Sequence, residues 1–269
     1  MSVKGNIIMV IDKKTVNIFR RVLKVFDKDM YPIPENFQTD QQKKVPNPPL
    51  QKPYPKDGKI VDLIPIEKIT VGKETTLYQT LLNRRSSRTF TEESLTFEEL
   101  SLLLWMTQGV HEVTKHHGSG TRRVVASGGA RHPFETYLIV NRVENLESGL
   151  YRYLAIEHKL IYLKSKNDIE SDKLAKIANQ GFIPKGAVIF VWAVIPYRME
   201  WRYSITSSKV IAIEAGHICQ NLYLAAESIG VGTCAIAAYN QQICDELFEL
   251  DGEDEFTVYI APVGRIEKK

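Results

Sequence analysis

Three guanidinium groups and two hydroxyls fall within five residues at Arg84-Arg85-Ser86-Ser87-Arg88. Like charges this close repel one another, and a bound anion relieves the repulsion. Arginine grips phosphate through two parallel hydrogen bonds, and serine adds a short donor. The run reads as an anion site, against the plainer reading of a solvated basic turn. Two other segments bear on that choice. Ser127-Gly128-Gly129-Ala130 has side chains small enough for backbone N–H groups to approach a ligand, and Arg122, Arg123 and Arg131 flank it. Gly230-Val231-Gly232-Thr233-Cys234 follows a helical pattern and precedes an extended one. A dinucleotide-binding turn needs the reverse order, strand into helix, and no Walker A sequence occurs. A Rossmann crevice or a P-loop is therefore not expected.

Acid–base machinery is sparse. No paired carboxylates and no Ser-His-Asp set stand out. Glu214, His217 and Asn221 share one stripe of a helical pattern, either as an internally hydrogen-bonded row or as polar groups facing a ligand. His111, His116 and His117 lack a carboxylate or cysteine at ligand spacing, so no metal site is expected. Cys219, Cys234 and Cys244 are too few and scattered for a disulfide framework and read as small buried hydrophobes. Tyr197 and Trp201 either line a pocket or pack ordinarily.

These groups need elements to position them. Leu77, Leu81 and Leu82 predict a helix running into the arginine cluster. Thr96-Phe97-Glu98-Glu99 is a capping box, and Leu100, Leu103, Leu104 and Thr107 follow on one face up to Gly109. Residues 110–132 are polar and Gly-rich and read as a long loop. Strands are predicted at Phe134–Val140, Gly149–Tyr153 and Leu160–Leu163, and a short helix at Asp172–Gln180. Ala187–Val194 is a continuous apolar run, as in a buried central strand. Ser208–Ile229 carries the strongest helical signal, with Ile211, Ala215, Ile218, Leu222, Ala225 and Ile229 at alternating spacings of four and three, and Gly230 as its cap. A short strand at Cys234–Ala238, a helix at Gln241–Phe248 and a last strand at Phe256–Val263 complete the pattern. Helices and strands mix without strict alternation. The fold class is α+β, with a mostly antiparallel central sheet flanked by helices.

Taken in order, Arg84–Phe90, Leu103–Gly109, Ser127–Pro133, Gly149–Tyr153 and Glu214–Cys234 resemble the nitroreductase family, nearest its SagB-type or thiazole/oxazole dehydrogenase branch. The resemblance covers about residues 60–266. It implies a nitroreductase-like sandwich, assembled as a homodimer with two FMN molecules at the interface. It implies FMN phosphate and pyrimidine contacts at Arg84, Arg85, Ser86 and Arg88, and a loop of Ala126, Ser127, Gly128 and Gly129 reaching the flavin from the partner subunit. Ile236, Ala237 and Ala238 correspond to the backbone facing N5 and O4, with the Ala237 N–H at N5. Arg265 corresponds to a C-terminal cation on the phosphate, and Lys268 to a second. The implied reaction is ping-pong hydride transfer through N5 from NAD(P)H to a small organic acceptor. A SagB-type dehydrogenase acting on an azoline, and a non-catalytic flavin module or complex subunit, are the alternatives. The azole-forming branch has a Lys-Tyr pair upstream of the long helix, where this chain has Arg202-Tyr203. Arginine is a poor general base because its pKa exceeds about 12. Tyr203 is left as the acid–base candidate.

Composition sets the boundaries. The 269 residues are 43% apolar and 25% charged, which excludes collagen-like, coiled-coil and disordered classes. No apolar run suits a membrane span or a secretory signal, so a cytoplasmic protein is expected. The formal charge of +3 is uneven: residues 1–60 hold twelve Lys/Arg against six Asp/Glu, and eight of the twelve prolines lie between Pro32 and Pro65. Residues 1–60 read as a basic helix and a Pro-rich arm, and residues 61–269 as the FMN-binding domain. Within the arm, Val16, Phe19, Leu23 and Phe26 at helical spacing predict an amphipathic helix whose apolar stripe docks on the body. Docking on the body is expected ahead of membrane contact, and no aromatic-basic interleaving continues beyond the helix, so nucleic acid is not the expected partner.

Overall fold

The computed structural model describes residues 13–24, 34–114, 120–178 and 180–267. Its centre is a seven-stranded sheet in the order β1-β6-β5-β4-β7-β9-β8, antiparallel at every pairing. The strands are β1 (Ile60–Asp62), β4 (Phe134–Val140), β5 (Gly149–Leu154), β6 (Lys159–Ser165), β7 (Val188–Val194), β8 (Val231–Thr233) and β9 (Phe256–Arg265). Strand β7 lies between β4 and β9 and is buried on both faces, which accounts for its unbroken apolar sequence. Its side chains divide by the two-residue period. Val188, Phe190, Trp192 and Val194 enter one core, and Ile189, Val191 and Ala193 the other. Each fully buried aliphatic of this kind contributes about 1.5–3 kcal/mol of transfer free energy.

The first core is covered by α3 (Phe97–Gln108) and α6 (Ser207–Ser228). Thr96 and Glu99 form the expected capping box, and Leu100, Leu103 and Leu104 are fully buried. In α6, Ile211, Ala215, Ile218, Leu222 and Ala225 face inward, and Gly230 follows with φ +70°. A second capping box, Thr76 with Gln79, opens α2 (Leu77–Asn83). The second core is closed partly by α4 (Ser171–Lys176) and α7 (Gln241–Leu247).

Several expectations are corrected. Residues 110–132 are not one loop: β2 (Val110–Thr114) and β3 (Gly120–Arg123) pair as a hairpin. The strand after Gly230 is Val231–Thr233, while of Cys234–Ala238 only Ile236 bridges β9. Tyr197–Tyr203, which carries no clear helical period, is a helix, α5. The N-terminal helix α1 (Lys13–Arg21) ends before Leu23. Val16 and Leu23 are exposed, so they do not dock on the body as predicted; Phe26 lies outside the described residues.

The Pro-rich stretch runs as an arm across the body. Trp201 Nε1 donates to Val45 O at 2.9 Å, Lys52 N to Glu135 Oε1 at 2.7 Å, and Arg152 to Pro53 O at 2.9 Å. Lys52 Nζ also ion-pairs with Glu255. The arm enters the sheet only at β1, an edge strand, which is where a Pro-flanked segment can pair.

Candidate active site

Two clusters form along α6. The first gathers at Tyr223. Its hydroxyl accepts from Ala235 N–H at 2.8 Å and shares a hydrogen bond with Ser86 Oγ at 2.9 Å, while the Arg84 guanidinium lies 5.1 Å from the ring centroid. Ser87 N–H donates to Thr233 O at 2.9 Å, which ties the arginine run to β8. Gly232 is required here, because a Cβ would lie 2.6 Å from the Ser87 Cβ. Arg88 is exposed and has no hydrogen-bonding or acidic partner among the described residues. Arg85 turns back instead, donating to Leu82 O and Arg84 O at the end of α2. Ile236 exchanges backbone hydrogen bonds with Ile260, leaving Ala237 and Ala238 exposed beyond it. The Ala237 N–H meets no acceptor among the described residues. Arg265 is paired with Glu99 at 2.8 Å, and Lys268 lies outside the described residues.

The second cluster is the loop 126–132. Its backbone is strained, with φ of +60° at Gly129, +54° at Ala130 and +43° at His132. The polar stripe of α6 holds it, although not by bonding within the stripe. Glu214 Oε1 accepts from Gly128 N–H at 2.6 Å, the His217 ring meets Ala126 O at 3.4 Å, and Asn221 donates to Met106 O at 3.0 Å. Each stripe residue thus satisfies backbone of another element. Ser127 Oγ accepts from His132 N–H at 2.9 Å. Arg202 and Tyr203, at the end of α5, close over the loop. A Cβ at Gly129 would lie 2.7 Å from Arg202 Nε and 2.9 Å from the Tyr203 hydroxyl. Glycine is needed there for both its φ and the close approach.

Burial sets the electrostatics. It pushes the Glu214 carboxyl above the usual range, against the pull of Gly128 N–H. His132 is pushed down to about 3, first by burial and then by the Arg123 cation, so its ring is neutral at pH 7. Arg123 is itself lowered to about 10 by burial. Glu135, buried with Arg198 at 2.6 Å, is raised by burial but brought below its ordinary value by Arg198 and Arg152. Cys219, Cys234 and Cys244 are free and buried, and burial raises Cys219 and Cys244 to about 12. His111 packs edge-on against Trp105; His116 and His117 lie outside the described residues, among which no cluster of metal-ligating side chains occurs.

A profile of the Nitroreductase family matches residues 81–265. The chain belongs to the nitroreductase family. MJ1384 of Methanocaldococcus jannaschii, which carries a provisional nitroreductase name, is 31% identical over 193 residues, covering 72% of this chain and 92% of its own. The trifolitoxin-processing protein TfxB of Rhizobium leguminosarum bv. trifolii is 26% identical over 163 residues, 58% of this chain and 44% of its own. A Ralstonia eutropha JMP134 structure, also under a provisional nitroreductase name, shares the fold with a TM-score of 0.64 at 23% identity, over 84% of this chain and all of that one. The match makes this an oxidoreductase fold, and both clusters lie inside the matched nitroreductase span. Tyr223, which ties the first cluster together, stands out by no motif: a tyrosine on an amphipathic helix reads as packing. The arm that braces the second cluster lies upstream of the span.

Proposed function

We propose that this nitroreductase-family chain is an FMN-dependent oxidoreductase, passing hydride from NAD(P)H to a small organic acceptor as a homodimer. The observation that carries the reading is the first cluster: among the described residues, an exposed arginine without a partner and a backbone N–H without an acceptor, on segments that Tyr223 ties together through Ser86 and Ala235. That donor set fits a phosphorylated flavin. Arg84, Ser86 and Arg88 supply donors for the phosphate and the pyrimidine edge, and the Ala237 N–H supplies a donor toward N5. Arg85 and Arg265 have partners already and act as flanking charge. Ala126, Ser127, Gly128 and Gly129 present the close-approach backbone. Bound FMN supplies hydride exchange at N5, a chemistry that no side chain provides.

Glu214 and Tyr223 stand nine residues apart on α6, or roughly 13 Å along its axis. The two clusters therefore need not serve one flavin within one chain, which supports a partner's loop completing each site. Leu77, Tyr78, Leu81 and Leu82 of α2 are more than half exposed, beside a groove of about 340 Å³ lined by Met106, Leu224 and Ala225. An apolar surface of this kind suits a dimer interface. Sedimentation velocity on the wild type and on Leu81→Glu/Leu82→Glu tests it, with a dimer expected for the first and a monomer for the second.

A second reading rests on Tyr203, whose hydroxyl lies against the Gly128–Gly129 backbone, and on the kinship with TfxB. In that reading the flavin oxidises the substrate and Tyr203 handles a proton. Titration with FMN, then anaerobic addition of NADH or NADPH, separates the two. A protein that acquires no flavin absorption overturns the cofactor assignment. A bound flavin that neither nucleotide bleaches overturns the reductase and leaves the dehydrogenase.

A further inference from the structure

Two guanidinium groups converge on one residue of the strained loop. Arg131 Nε donates to Gly129 O at 3.2 Å, and a Cβ at Gly129 would lie 2.7 Å from Arg202 Nε. Arg131 is anchored: it stacks on Trp201 with 5.1 Å between guanidinium and ring centroid, and it bonds Asn47 of the arm. Arg202 is different. It is exposed, its one ring contact is Tyr203 at 5.6 Å, and no carboxylate pairs with it among the described residues. Burial and then the Arg202 charge lower the Arg131 pKa, against the pull of Tyr203, as expected of two cations near each other. The nearby carboxyl, Glu214, is engaged by Gly128 N–H.

A solvated arginine at a helix end is common and needs no ligand. The placement here goes further. The chain adopts left-handed backbone at Gly129, Ala130 and His132, and omits a Cβ at Gly129, so that Arg202 and Tyr203 can close over the loop. A planar cationic fork thereby lies beside a phenol hydroxyl, with the Arg131 cation close to it. The ligand that satisfies both is a carboxylate, which accepts two hydrogen bonds from one guanidinium and another from the phenol.

We infer that Arg202, with Tyr203 beside it, is a specificity-determining residue that selects a substrate bearing a carboxylate over its neutral counterpart. The inference deepens the oxidoreductase reading and rests on it for the identity of the site. Arginine at 202 is a poor proton acceptor, but it can hold a charged group in register beside the loop.

The test uses benzoate and benzamide as matched non-reacting probes, titrated calorimetrically into the purified protein with FMN added. Benzoate is expected to bind at least about tenfold tighter than benzamide, the scale of one charge-assisted hydrogen bond. Arg202→Ala is expected to erase that preference and Arg202→Lys to keep only part of it. Arg122→Ala, which removes a cation that Glu112 already pairs on strand β3, is expected to leave it intact. Under turnover the same split appears as a raised KM for 4-nitrobenzoate, with 4-nitrobenzamide unaffected, in Arg202→Ala. Equal binding of the two probes by the wild type, or an unchanged preference in Arg202→Ala, overturns the inference. Failure of NAD(P)H to bleach the flavin is a separate result: it removes the reductase reading, while the calorimetric comparison still decides the role of Arg202.

Discussion

The arginine run at 84–88 and the small-residue loop at 126–132 hang from the same helix, yet they are built in opposite ways. The first is open. Among the described residues Arg88 is exposed and unpaired and the Ala237 N–H meets no acceptor, and one phenol hydroxyl links the neighbouring segments. The second is tight. Three of its residues are in left-handed backbone, Gly128 is held by a buried carboxyl, and Arg202 and Tyr203 fill the space a side chain at Gly129 would need. A region of the first kind gains its order from what it binds. A region of the second kind has its shape before anything binds, and the rest of the fold supplies the energy that holds the strain. In the first, substitutions should weaken affinity and spare stability; in the second, they should cost stability itself.

The most disruptive test of that contrast is Gly129→Ala. A left-handed alanine that must also displace Arg202 should cost about 3 kcal/mol of folding stability. Urea unfolding measures it, and a loss below about 0.5 kcal/mol would mean the loop yields easily. Next comes Arg88→Ala. FMN affinity should fall by about 1.5–3 kcal/mol, while the flavin-free protein unfolds at the same urea concentration. A variant that binds FMN as well as the wild type would remove Arg88 from the site.

His132 offers a pH test of the tight loop. Its folded pKa of about 3 lies well below its unfolded value, so the unfolded chain takes up the proton first. Its contribution is complete above about pH 6.5 and is lost as the pH falls toward the folded value. The maximum slope from this residue is about 1.4 kcal/mol per pH unit. In His132→Asn, whose side chain tolerates the same φ, the fall in stability from pH 7 to pH 5 should be visibly shallower. The smallest effect is expected at Glu214→Gln. Burial raises the folded pKa of Glu214, so its stabilising contribution is full at low pH and declines as the pH rises through that value. Glutamine keeps an oxygen for Gly128 N–H without the ionisation, and should gain less than about 1 kcal/mol at neutral pH and nothing in acid. A clear loss at neutral pH would show that the loop needs the charge and not merely the acceptor.

The same contrast explains what the sequence made legible. Helix α3, helix α6 and strand β7 announce themselves through capping residues and apolar period, because burial on a defined face leaves that trace. The hairpin β2–β3 leaves none. It is polar on much of both faces and is held by pairs such as Glu112 with Arg122. Helix α5 hides for another reason: Arg198, Met199 and Trp201 are all buried, with the Arg198 charge neutralised by Glu135, so charge in the sequence does not mark its exposed side. The candidate residues themselves were readable as short phrases. Their grouping was not, because Tyr223 with Ser86 and Glu214 with Gly128 are contacts across 137 and 86 residues that no local pattern encodes.

Synthesis order gives the arm a different significance. Lys52 bonds Glu255, 203 positions later, and Asn47 bonds Arg131 beside the strained loop. A ribosome delivers Lys52 long before it delivers β9. The contact that ties the arm to Glu255 can therefore form only after 203 further residues have emerged, long after the strands between them.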